Sequence, residues 1–213
     1  MTKMTNINSE FIFPTPYWWV MLDDVDNDKI LEACYELERN QEGRSRSNRG
    51  GYQSDDLPYD HPLFTDLMGH IESISQIVFE NGYTQFYNSF YKRTYIDNYW
   101  VNINRKDNSN SNHIHPGSFL SGVYYVSADP KLNQGNIIFR RDYSWIMNHG
   151  VYFNDLKGKE CPAYLEQQVS LPSCTRALLL FPSYLSHSVD VNESDSDRVS
   201  ISFNIGLKRD ENH

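Results

Sequence analysis

Residues 198–205 read Arg-Val-Ser-Ile-Ser-Phe-Asn-Ile, a strict alternation of polar and apolar side chains. Extended backbone sorts such a run onto two faces, because strand side chains point alternately to opposite sides. Arg198, Ser200, Ser202 and Asn204 share one face; Val199, Ile201, Phe203 and Ile205 share the other. The chain must therefore build a sheet with this apolar face against a core. The polar face either meets solvent or lines a polar pocket, and the strand alone does not decide between them.

Other runs have the same short, apolar or aromatic texture: YWVNIN at 99–104, FLSGVYYV at 119–126, NIIF at 136–139 and RALLLF at 176–181. All lie beyond about Thr84, punctuated by Asn, Asp, Gly and Pro, and each reads as a strand. Aromatic side chains, 14% of the residues, suit such sheets. Ahead of them lie two helical patterns. Asp26 or Asn27 can cap a helix running to about Arg39, with Ile30, Leu31, Ala33, Cys34 and Leu37 near helical spacing. A second should span His61 to Glu80 with Phe64, Leu67, Met68, Ile71, Ile74 and Val78 on one side, stopped by Asn81–Gly82. Many short strands after two helices define a mainly β fold, a β-sandwich or jelly roll with the helices packed on one outer face. The 213 residues suffice for a single domain, with a helical region over 1–83 and a β core over 84–213.

Two segments stand apart. Residues 11–22, FIFPTPYWWVML, read as an edge strand or extended entry, since proline cannot donate to a central ladder. Residues 40–58 are polar with three glycines and read as a long loop, with Gly50–Gly51 suited to a tight turn and the whole a candidate lid.

A net charge of −9 argues against a general nucleic-acid binder, which needs a basic footprint. Arg44, Arg46 and Arg49, and Arg140 and Arg141, form local clusters that read as solvated loop charge. Three cysteines, Cys34, Cys161 and Cys174, are odd in number and far apart, so a disulfide framework is not expected and a reducing cytoplasm is the default. No run of 18 apolar residues suggests a membrane span, and the first ten residues lack the apolar core of a signal peptide.

The stretch NHIHPGS at 112–118 carries chemistry. In extended backbone His113 and His115 project from one face, two strand rises or roughly 6–7 Å apart, within reach of one metal ion. His187 follows the apolar run ALLLFP, where a histidine is either a satisfied core residue or a ligand facing a cavity. Eleven residues later comes Arg198, on a strand face that carries no acidic residue. An inward arginine needs an anionic partner, because an unpaired buried charge is costly. A bound carboxylate fits, matched by two parallel guanidinium hydrogen bonds, and Ser200 can add a hydroxyl. His61, His70, His149 and His213 read as surface or locally satisfied residues.

These pieces in this order are similar to the 2-oxoglutarate- and Fe(II)-dependent oxygenases, and more narrowly to a bacterial and phage family known mainly from sequence. The resemblance rests on FPTPYW at 13–18, SNRGGYQS at 47–54, NHIHPGSFLSGVYYV at 112–126, GNIIF at 135–139, and LLLFPSYLSHSV with DRVSISFN between 178 and 204. It implies a double-stranded β-helix with cupin-like topology and Fe(II) at its open end. It assigns His187 as the distal ligand, Arg198 to the far carboxylate of 2-oxoglutarate and Ser200 as its companion, with Asn102, Tyr124 and Tyr125 as candidates for the cofactor pocket. The proximal motif falls on HIH, and here the sequence departs from the family pattern. In one register His113 and His115 are both ligands, with histidine where an acid is expected. In another His115 comes first and Gly117 stands in the acid position, leaving an open coordination site. Asp107 and Asp129 are nearby acids that read as solvated loop residues. The implied reaction consumes 2-oxoglutarate and O2, releases succinate and CO2, and hydroxylates a substrate, with a protein side chain or metabolite favoured over nucleic acid. The implied setting is the cytoplasm, the host's if a phage encodes the chain. Two other readings remain: a cupin-like three-histidine enzyme that ignores 2-oxoglutarate and uses Arg198 in a structural ion pair, and a non-catalytic β-sandwich that binds partners.

Overall fold

A computed structural model describes residues 15–83, 90–141 and 168–209. In chain order the elements are β1 (Trp18–Met21), α1 (Asn27–Asn40), β2 (Asn48–Arg49), β3 (Tyr52–Gln53), α2 (Thr65–Gly82), β4 (Tyr91–Asn104), β5 (Ser109–His113), β6 (Leu120–Ser127), β7 (Ile137–Arg140), β8 (Gln168–Leu171), β9 (Ala177–Pro182), β10 (Ser186–Val189) and β11 (Arg198–Arg209). The strands form two sheets, ordered β1-β9-β6-β11-β4-β3 and β2-β5-β10-β7-β8. Neighbouring strands pair antiparallel throughout. The sheets face each other as a double-stranded β-helix, the jelly roll expected from the sequence.

The larger sheet is covered on both sides, and this explains its sequence. Its outer face meets the helices: Val199, Ile201, Phe203 and Ile205 of β11 are fully buried with Leu178 and Leu180 of β9 and with Ile30, Leu37, Leu67 and Ile71 of the helices. Each such side chain contributes about 1.5–3 kcal/mol by leaving water, as an upper figure. The inner face meets the second sheet, where Leu179 and Phe181 join Val123, Tyr125, Ile137 and Phe139. Alternate residues of ALLLFP thus serve two cores. Gly122 of β6 sits where the packing is tightest, because a Cβ there would lie 2.6 Å from the Leu179 carbonyl and run into the Phe203 ring.

Helix α1 begins where expected, with the Asp26 carboxylate accepting from the Lys29 amide. Asn27 then ties it to the sheet. Its Nδ2 donates to the Val126 carbonyl at 2.8 Å, and its Oδ1 accepts from the Tyr124 hydroxyl at 2.8 Å. Helix α2 begins at Thr65, later than His61: Pro62 keeps His61 out of the helix, and a turn follows in which the Phe64 amide donates to the His61 carbonyl at 2.9 Å. Residues 40–58, expected to be loop throughout, contain β2 and β3 around a turn with Gly50 and Gly51 at φ +69°. β2 pairs with β5 in one sheet and β3 with β4 in the other, so this segment spans the open end of the barrel. Strand β1 holds the edge of the larger sheet, paired with β9. Among the described residues no helix is long and apolar enough to cross a membrane.

Candidate active site

Three histidines converge between the sheets. β5 and β10 pair with His113 opposite His187, and His115 follows β5 with its amide donating to the Ser183 carbonyl at 3.0 Å. Ring centroids lie 4.4 Å apart for His113 and His187, 4.9 Å for His113 and His115, and 5.1 Å for His115 and His187. Their ligand nitrogens all lie within 4.8 Å of one another. A shared ion about 2.0–2.1 Å from each nitrogen would hold them no more than about 4.2 Å apart, so binding would draw the rings inward.

The histidines are also oriented. His113 Nδ1 lies 2.8 Å from the Ser111 carbonyl, and His187 Nδ1 lies 2.8 Å from the Leu185 carbonyl. A carbonyl can only accept, so each Nδ1 carries the proton and each Nε2 keeps a free lone pair, the arrangement metal-ligating histidines use. Burial, reinforced by the neighbouring His113, holds the His187 imidazole down to about 3 and His115 down to about 4. His113 is lowered too, again by burial. The cluster is therefore neutral at pH 7, as a cation site requires. Phe181 packs on His187 at 4.8 Å between ring centroids, giving the site an apolar wall.

Deeper in the same cavity lies Arg198, 2% exposed. Its Nε donates to Ser173 Oγ at 3.1 Å and its Nη1 to Ser200 Oγ at 3.2 Å, and its guanidinium stands 5.1 Å from the Tyr125 ring centre. Among the described residues no carboxylate pairs with it. Burial lowers its pKa, with Tyr125 partly offsetting the effect. The guanidinium is thus a buried cation awaiting an anion, in a cavity also lined by the three histidines, Asn102, Ser200 and Ser202. Asn102 donates to Ser202 Oγ at 3.1 Å while its Oδ1 is buried without a partner. The Tyr125 hydroxyl is likewise buried without a well-formed hydrogen bond. The unmet polar groups around Arg198 would suit a carboxylate, and the three neutral imidazoles would suit a metal ion.

The structure brings His113, His115, His187, Arg198, Ser200 and Asn102, all singled out from the sequence, into one cavity, with Tyr125 against Arg198. Tyr124 is the exception. It faces the helices, fully buried in the outer core and bonded to Asn27, and burial pushes its hydroxyl up to about 12. The register pairs Ser200 with Tyr125, and neighbouring strand residues face opposite ways, so Tyr125 takes the inner position. Gly117, the alternative acid position, lies in a turn at φ +91°, and open space surrounds the point where its Cβ would be. Among the described residues no acid joins the histidine cluster. Asp107 is held in a loop, with its amide donating to the Asn192 carbonyl. His149 lies outside the described residues.

Sequence reasoning missed Ser173, Ser47, Asn110 and Trp100. Trp100 was within reach, because Asn98, Trp100, Asn102 and Asn104 alternate on one face of β4. Ser173 follows β8 with no periodicity to place it.

The family that the sequence matches makes the chain a 2-oxoglutarate- and Fe(II)-dependent oxygenase, an oxidoreductase. Residues 98–204, half of the chain, match the family described as "Putative 2OG-Fe(II) oxygenase", and the protein belongs to that family. Among solved structures it is similar to a Pseudomonas putida prolyl-4-hydroxylase, at 9% identity and TM-score 0.61 over 91% of this chain and 94% of that one. The non-heme alpha ketoglutarate dependent carbocyclase SnoK of nogalamycin biosynthesis matches at 12% identity and TM-score 0.62 over 91% and 80%. HygX of Streptomyces hygroscopicus, solved with nickel and 2-oxoglutarate, matches at 12% and 0.57 over 90% and 83%. At these identities the likeness speaks for the fold. No curated protein matches the chain.

Proposed function

We propose that His113, His115 and His187 hold Fe(II), that Arg198 and Ser200 hold the far carboxylate of 2-oxoglutarate, and that the enzyme hydroxylates an amino-acid side chain or small metabolite. The observation that carries this reading is one cavity with three convergent, neutral imidazoles at one end and an unpaired buried guanidinium at the other. When bound, iron and 2-oxoglutarate would supply the electrons that activate O2, the keto acid being oxidised to succinate and CO2.

The chain's own residues prepare that chemistry. The Ser111 and Leu185 carbonyls fix the protons of His113 and His187 away from the ion. Arg198, clamped by Ser173 and Ser200, offers its fork to a carboxylate in a place closed to water. Phe181 packs edge-on against the His187 ring and adds an apolar wall to the site. Three neutral ligands give one negative charge less than two histidines and a carboxylate, so the ion keeps more of its positive charge, which favours an anionic cosubstrate. A net charge of −9 disfavours a polyanionic substrate. The free thiols of Cys34 and Cys174 suit a reducing cytoplasm.

The test is release of labelled CO2 from 2-oxoglutarate carrying the label in the carboxyl next to its keto group. Release should require Fe(II), fail in His187→Ala and fall sharply in Arg198→Ala. Iron-loaded protein that releases no CO2 with 2-oxoglutarate bound would count against the reading.

A further inference from the structure

A second pocket opens on the outer side of the histidines. It measures about 550 Å³ and shares Trp100, His113 and His115 with the inner cavity. That volume suits a metabolite or one amino-acid side chain with its flanking backbone. Its far wall comes from the segment 44–56 that spans the barrel mouth, with Asn98 and Asn204 at the sheet end.

The wall is built on a chain of hydrogen bonds. Ser121 Oγ donates to Asn204 Oδ1 at 2.7 Å and Asn204 Nδ2 to Asn98 Oδ1 at 2.8 Å, which holds Asn98 beside Asp56 and helps lower the Asp56 pKa. Asp56 also takes an Nη2 hydrogen bond from Arg44 at 2.5 Å, and the Arg44 guanidinium stands 5.8 Å from the Trp100 ring centre. The one acid lining this pocket is thus already neutralised.

What remains is a pair of buried polar atoms without partners and one free cation at the rim among the described residues. Arg44 Nε is buried and makes no hydrogen bond. Gln53, 3% exposed, lines the pocket with its side-chain carbonyl unpartnered. Arg46 is exposed at the rim and has no ion-pair partner among the described residues. Its backbone is pinned, with its amide donating to Asn48 Oδ1 at 2.8 Å. Two guanidinium groups against one satisfied carboxylate leave a local positive charge on a chain of net charge −9.

We propose that this outer pocket binds the primary substrate through an anionic group, a carboxylate or phosphate held by the guanidinium groups of Arg46 and Arg44. The rest of the substrate then lies along Trp100 with its reacting carbon toward His115. Guanidinium forks recognise both anions by the same paired hydrogen bonds. The proposal rests on the oxygenase reading only for calling the bound molecule a substrate.

The experiment uses protein loaded with Mn(II) and saturating 2-oxoglutarate, so that the inner site is filled. Proton relaxation of three matched probes is measured: phenylacetate, phenyl phosphate and phenylacetamide. At least one anion should show paramagnetic enhancement and bind about tenfold or more tightly than the amide. Whichever anion binds better identifies the head group. Arg46→Glu should weaken the anion about tenfold or more. Arg49→Glu, the same charge change at a neighbouring residue outside the pocket, should alter it by less than about threefold. Equal binding of anion and amide, no binding of either anion, or equal effects of the two substitutions would each overturn the proposal. Metal and 2-oxoglutarate binding are titrated separately. If both fail while line broadening still reports Arg46-dependent anion binding, the pocket stands and the oxygenase reading falls.

Discussion

Replacing Arg198 by methionine separates what the guanidinium does for the fold from what it does for the cosubstrate. The side chain is 2% exposed and its recorded hydrogen bonds go to two serine hydroxyls. Burying such a charge without a counter-ion costs several kcal/mol. Two charged hydrogen bonds return about 1.5–3 kcal/mol each, leaving a net cost of about 1–3 kcal/mol in the cosubstrate-free protein. Methionine fills similar volume without charge, and the freed hydroxyls of Ser173 and Ser200 forfeit about 1 kcal/mol. Arg198→Met should therefore leave the free protein equally stable or stabilised by about 1–2 kcal/mol, raising Tm by up to about 2–6 °C. In the metal-loaded wild type, 2-oxoglutarate at a hundred times its Kd should add about 2.7 kcal/mol, and in the variant this gain should vanish. Differential scanning calorimetry with and without 2-oxoglutarate reads both effects. A variant destabilised by more than about 2 kcal/mol would mean that the guanidinium has a structural anionic partner. A full 2-oxoglutarate-induced shift in the variant would remove Arg198 from the cofactor site.

Three further outcomes follow from named contacts. His115→Asp puts a carboxylate into the histidine cluster, so in competition titrations the preference for Ni(II) over Fe(II) should fall about tenfold, and an unchanged ratio would remove His115 from the ligand set. Asn27→Ala leaves the Tyr124 hydroxyl and the Val126 carbonyl buried without partners and should cost about 2–4 kcal/mol in urea unfolding, whereas Tyr124→Phe should leave 2-oxoglutarate affinity unchanged because that hydroxyl faces the helices. The metal-free protein should lose stability as pH falls below about 6.5, because His187 and His115 titrate near about 3 and about 4 when folded and the unfolded chain takes up protons first. Urea midpoints between neutral and mildly acid pH measure that slope, which His187→Gln should flatten.

The alternation in β11 carried most of what could be read in advance. It set the apolar face against a core and left the Arg198 face to solvent or a pocket; the lack of an acid on that face pointed inward, and the buried, unpaired guanidinium is what it becomes in three dimensions. The cupin-like alternative required an ion pair there, and none exists among the described residues. Features that depend on cross-strand register were harder to see. Alternation says that Tyr124 and Tyr125 face opposite ways, but a register irregularity between Val199 and Ser200 decides which of them meets the arginine. Strand β10, which carries His187, is short and polar, and its strand identity comes from pairing with β5 and β7 on either side. The same holds for β2 and β3, two residues each, which exist because partner strands lie beside a polar segment. Ser173 reaches Arg198 from a loop, where no period marks it.

The most direct measurement is an anaerobic titration with Fe(II) and then 2-oxoglutarate, followed by visible absorbance. Iron should bind one per chain, and 2-oxoglutarate should then raise a metal-to-ligand charge-transfer band in the wild type that Arg198→Met does not develop at the same concentration. Bound iron with no band at saturating 2-oxoglutarate, or no iron bound at all, would contradict the assignment of the three histidines and Arg198 to one cosubstrate site.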